Sequence, residues 1–149
     1  QVKFYGTSNQ NITSRNGLVN PFYTIEMNKE GSLILQDSIT LNKDFKLIKG
    51  LLDVNTDKNI RLKGDWLVGD GTTLGTFNPG TAMVTFNGTS PQVINKRTNG
   101  TVNLNDFTFY DLKIDGTNVT LWLKSSHYKV NTHNLYIVKD KVLNIEGQP

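Results

Sequence analysis

An internal repeat restricts this chain more than any other feature it has. Residues 2–12 read VKFYGTSNQNI and residues 84–94 read VTFNGTSPQVI, with seven of eleven positions identical at a constant offset of 82. The correspondence then continues. Arg15, Asn16, Gly17, Val19 and Asn20 match Arg97, Asn99, Gly100, Val102 and Asn103, and Phe22 and Tyr23 match Phe109 and Tyr110 after a short insertion. Copy one is expected to occupy residues 1–83 and copy two residues 84–149. Each opens with VxFxGTSxQxI and runs through the Phe-Tyr element into short apolar stretches. Only copy one goes on to a closing block, over residues 60–81, so copy two is incomplete and the chain reads as a piece of a longer array. Repeated modules build length and surface, whereas a catalytic centre needs one irregular pocket. If the copies share a backbone, Phe4 and Phe86 should occupy equivalent buried sites.

The residues between these landmarks point to strands. Asn and Thr are abundant and Ala82 is the sole alanine, a composition that opposes helices and favours turns. Apolar residues alternate in short runs, such as Leu33 and Leu35, Ile39 and Leu41, Phe45 and Leu47, Leu52 and Val54, Ile60 and Leu62. No stretch keeps a helical period over three turns. The chain is therefore expected to be all-β. Run centres over residues 33–54 lie only about six or seven positions apart, tighter than the 8–12 usual in a sandwich. That spacing predicts a short-stranded parallel β-solenoid (a β-helix) built from the two copies, with β-sandwich repeats as the alternative. Gly71, Gly75 and Gly80 sit where tight corners are needed, and at least one should have positive φ. Apolar residues should lie open at the two ends of the rod, near Val2 and Phe4 and near Leu143 and Ile145.

Charge and cysteine content remove several function classes. There is no cysteine, hence no disulfide framework or thiolate metal site. The net charge is +3, the lysines are dispersed among acids, and Arg occurs only at Arg15, Arg61 and Arg97, which is no nucleic-acid footprint. No apolar run reaches the roughly 20 residues of a membrane helix, so no membrane insertion is expected.

The run GDWLVGDGTTLGTFNPGTAMVTFNGTSPQVI, followed by FYDLKIDGTNVTL and NLYIVKDKVLNIEG, resembles a repeat module of very large Bacteroidetes surface proteins, adhesins exported by type IX secretion that include gliding-motility adhesins. Gly64, Trp66, Gly75, Phe77, Pro79, Gly80, Val84, Phe86, Asn87, Gly88, Thr89, Gln92 and Ile94 carry the likeness, and Tyr5 departs from it. The resemblance implies an extracellular or cell-surface location. It also implies a non-catalytic role as stalk or multivalent adhesive surface. The expected partners are neighbouring repeats of the same protein, other surface proteins and polysaccharide. A carbohydrate-binding module and a self-assembling filament subunit are the alternatives.

Candidate sites are few. His127 and His133 lie six apart, but no further ligand is positioned beside them, and no metal or other cofactor is expected. Asp37, Asp44, Asp65, Asp70, Asp106, Asp111 and Asp115 stand at turns, where carboxylates cap the chain. No acid cluster recurs in both copies, so no catalytic residue is assigned. Tyr5, Trp122 and Tyr128 lack aromatic counterparts in the other copy and are the candidates for stacking on sugar rings. Asn11, Asn87, Asn99 and Asn118 each open an Asn-X-Thr tripeptide. Ser38, in Asp37-Ser38-Ile39, resembles the acceptor at which Bacteroidetes attach O-glycans.

Overall fold

Alternating short runs closed by turn residues fold here into an all-β, parallel solenoid. The computed structural model describes residues 1–14, 20–96, 107–123 and 130–147. Every strand pair in it is parallel. Partners on neighbouring strands lie about one winding of the chain apart, from 19 residues (Leu33 and Leu52) to 28 (Trp66 and Ile94). A sandwich would pair antiparallel neighbours, so that alternative is excluded.

Three columns of strands surround one core. The first holds β1 (Val2–Phe4), the start of β3 (Ile25–Leu35), the start of β5 (Phe45–Asp53), β7 (Trp66–Val68), β10 (Gln92–Lys96), β12 (Val119–Leu123) and β14 (Leu143–Gly147). The second holds β2 (Gln10–Ile12), the ends of β3 and β5, and β8 (Thr76–Asn78). β3 and β5 serve both columns, and their mutual register shifts between Met27 and Ser32, where the chain passes from one to the other. The third column is a separate sheet of β4 (Ile39–Leu41), β6 (Ile60–Leu62), β9 (Met83–Phe86), β11 (Phe107–Ile114) and β13 (Val130–Ile137), begun by the bridge from Phe22 to Leu41.

Alternation sends one side chain in two into the core, and parallel register stacks like positions. Ile25, Phe45, Trp66, Ile94 and Leu121 form one such file, each at most 2% exposed; Leu41, Leu62, Phe86 and Ile114 form another, all at 0%. Trp66 anchors the middle, stacked on Phe45 at 4.9 Å and edge-on to Phe77 at 5.0 Å. The corners need glycine, as expected: Gly71 has φ 104° and Gly80 φ 53°. Gly75 does not have positive φ, but a Cβ there would press into the Leu47 side chain.

The columns also locate the repeat. Along the chain from β1, eleven strand segments precede β9: β1, β2, the Phe22 bridge, both parts of β3, β4, both parts of β5, β6, β7 and β8. Eleven segments around three columns do not close on the starting column. The VxFxGTS strand is thus in the first column as β1 and in the third as β9, and the QxI strand is in the second as β2 and in the first as β10. The expectation for Phe4 and Phe86 therefore needs correcting. Phe86 is fully buried in one sheet, while Phe4 is half-buried in the other, on a strand that pairs on one side only among the described residues. The backbone at the motif glycine also differs, with φ 96° at Gly6 and no positive φ at Gly88, although one hydrogen bond to the next winding recurs. Gly6 O accepts from Glu30 N of the next winding and Gly88 O accepts from Thr117 N, both at 3.0 Å.

Candidate functional surface

Of the acids singled out in the sequence, Asp37, Asp44, Asp65 and Asp111 are built into the ladder, and Asp53 joins them. Asp65 N donates to Asp44 Oδ1 at 3.0 Å, and Val93 N to Asp65 Oδ1 at 2.9 Å, so two aspartates cap successive windings at one corner. Asp53 Oδ1 accepts from Asn78 Nδ2 and Asp111 Oδ1 from Asn134 Nδ2. Ser14 N donates to Asp37 Oδ2. Asp70 closes its own loop, accepting from Thr72 N, Thr72 Oγ1 and Thr73 N at 2.8 Å each. Those donors, the Thr73 amide foremost, hold its carboxyl at about 2, well below the usual value. Asp106 and His127 lie outside the described residues. Among the described residues no three of His, Asp and Glu are placed to share a metal ion.

The stacking candidates do not form one platform. Tyr5 is 53% exposed just after β1, and Trp122 is 39% exposed on β12. Four strands of the first column stand between theirs, about 24 Å of rod at ~4.8 Å per strand. Tyr128 lies outside the described residues. Ser38 is half-buried, and its Oγ accepts from Asn59 N at 3.0 Å. Of the Asn-X-Thr tripeptides, Asn11 is exposed, Asn118 Oδ1 accepts from Asn144 Nδ2, and Asn87 carries a buried Oδ1. Asn99 is outside the described residues.

A surface group of rings and polar side chains lies instead on the third column, on β11 and β13. Tyr110 and His133 stack at 4.7 Å and 20°. His133 Nδ1 is 2.8 Å from Asn134 Nδ2 and 3.5 Å from Asp111 Oδ1. Lys113 pairs with Asp115 at 3.6 Å and stands in register with Tyr136, which is 43% exposed. Both residues line a shallow groove with Met83, Leu135, Ile137 and Val138. Rings flanked by amide, carboxylate and ammonium groups suit contact with a polar polymer. In the sequence Tyr110 stands out only as a member of the Phe-Tyr pair, and Tyr136 belongs to no repeated motif. The alternation of Leu135, Tyr136 and Ile137 is the sign in the sequence that Tyr136 points outward.

Compared with protein-family models, curated proteins and solved structures, the chain has no significant match. The fold and its surface thus define the class, a repetitive parallel β-solenoid.

Proposed function

We propose that this chain is a non-catalytic, repetitive segment of a secreted or cell-surface adhesin, serving as a stalk and as a multivalent adhesive surface. One observation carries the reading: the duplicated motif is laid on different columns of a continuous parallel ladder. The ladder gives a rod whose stability accumulates winding by winding. The displacement of the copies turns like surfaces in different directions, so a rod of few repeats engages a partner from more than one side. Weak polar contacts then combine through avidity. The carbohydrate reading is supported separately by the Tyr110–His133 stack beside Lys113 and Tyr136.

Surface-binding assays test both. The chain is expected to bind immobilised polysaccharide or cell-surface material weakly when monomeric, and at least about a hundredfold more tightly when tethered in clusters. His133→Ala with Tyr136→Ala should abolish binding if the β11–β13 surface is the contact. Turnover of a polysaccharide panel, lost on replacing Asp111 or Asp115, would overturn the non-catalytic reading.

A further inference from the structure

The two copies of VxFxGTSxQxI sit in different surroundings, and the second reveals what the first is shaped to receive. In copy two, β9 rests on β6, with Val84 on Ile60 and Phe86 on Leu62. Gln92 is fully buried at the following corner. Its Oε1 accepts from Gly88 N at 2.6 Å, and its Nε2 donates to Leu62 O at 3.1 Å and Gly64 O at 2.6 Å. Val93 N donates to Asp65 Oδ1, and Ile94 pairs with Trp66. The segment Ile60-Arg61-Leu62-Lys63-Gly64-Asp65-Trp66 thus meets the valine, phenylalanine, glutamine and isoleucine of the motif: two apolar seats, two carbonyls for the glutamine, one carboxylate for the next amide and an indole for the isoleucine.

Copy one carries the same groups with no such partner among the described residues. β1 and β2 pair with β3 alone. Val2 is 38% exposed, Phe4 is half-buried, and the Gln10 side chain is exposed where Gln92 is enclosed. We infer that the outer edge of β1 and β2 is a docking edge for a parallel winding of the form I-x-L-K-G-D-W, supplied in tandem by a further closing block joined to β1 as residues 81–83 join this one to β9. Val2 would seat on its isoleucine and Phe4 on its leucine. Gln10 would reach the leucine and glycine carbonyls, and Asn11 N would meet the aspartate. This inference rests on the fold and the repeat alone, independent of any adhesive role.

The test is to duplicate residues 55–83 ahead of Val2 in the full chain. In the unextended protein, Gln10→Ala should leave the melting temperature unchanged while Gln92→Ala lowers it by several degrees. In the extended protein, Gln10→Ala should lower it as Gln92→Ala does. Hydrogen exchange at the β1 amides should also slow at least about tenfold. A scrambled block of the same composition should do neither. A silent Gln10→Ala in the extended protein, unchanged β1 exchange, or an extended protein that no longer unfolds cooperatively would each overturn the proposal, because a winding that fits adds stability.

Discussion

At the scale of single residues, Gln92 and Gln10 show how far identical motifs can differ in energy. Gln92 satisfies one backbone amide and two backbone carbonyls in a site closed to water. Its loss orphans groups whose desolvation costs about 1–3 kcal/mol each when unpaired. Gln92→Ala should therefore destabilise the fold by roughly 2–4 kcal/mol in chemical denaturation, and Gln10→Ala by under about 0.5 kcal/mol. Nothing in the motif distinguishes the two, since what differs is the winding beneath. Lys29 is a comparable surprise. Lysines dispersed among acids suggest a solvated face, yet this one is 2% exposed, with Nζ donating to Ser8 O at 2.6 Å and Ser32 O at 3.2 Å under the first Gly-Thr-Ser corner. Asp70 supplies a pH signature. Its carboxyl titrates at about 2 in the fold, against an ordinary value of 3.8. A depressed carboxyl contributes stability above its unfolded value and loses that contribution as pH falls through the folded one. Carboxyl chemical shifts should place the Asp70 midpoint near 2, with the Thr72 and Thr73 amides moving together with it. A midpoint near 4 would show that the loop hydrogen bonds do not persist in solution.

Among elements, strand identity was legible where alternation was uninterrupted. The runs at Ile39 and Leu41, Ile60 and Leu62, and Leu143 and Ile145 are β4, β6 and β14. What alternation cannot report is continuity through a corner. The run at Leu33 belongs to an eleven-residue strand starting at Ile25, and the runs at Phe45 and Leu52 are one strand, β5. Local alternation is the same whether a strand stays in one column or bends into the next. Column assignment, and with it the displacement of the repeat, depends on pairing across 19 or more residues. The aromatic cluster links the columns: Trp66 on the first touches Phe77 on the second and Phe109 on the third, at 5.0 and 5.8 Å. Trp66→Ala should therefore cost about 3–5 kcal/mol, as should Phe86→Ala in its closed site. Phe4→Ala, at a half-buried position on the outermost strand, should cost less than half as much. Equal losses at Phe4 and Phe86 would mean that the β1 edge is covered in solution.

For the molecule as a whole, the parallel ladder leaves the last windings with core-type residues and nothing described above them. Leu135, Ile137 and Ile145 pair with Leu112, Ile114 and Leu121, which are at most 2% exposed, yet are themselves 47%, 49% and 66% exposed. Of the residues anticipated as exposed at the two ends, Val2 and Ile145 are exposed, whereas Phe4 and Leu143 are half-buried against the core. The same pattern of inward apolar residues that builds the interior marks its open end. Such an end, with the outer backbone edges of β13 and β14 unpaired among the described residues, is a template for another chain. The side chains involved supply roughly 1.5–3 kcal/mol each on burial, enough for contact at high concentration and too little for a tight complex. Sedimentation should show association that rises with protein concentration and persists in salt, because apolar burial, unlike the dispersed surface charge, is not screened. Ile137→Lys with Ile145→Lys should suppress it without lowering the melting temperature by more than a few degrees, since both side chains already face water. A contact between unlike ends does not close on itself, so the larger species should lengthen into rods without stopping at a dimer. A discrete, salt-sensitive dimer, or association untouched by the paired substitutions, would place the contact elsewhere on the surface.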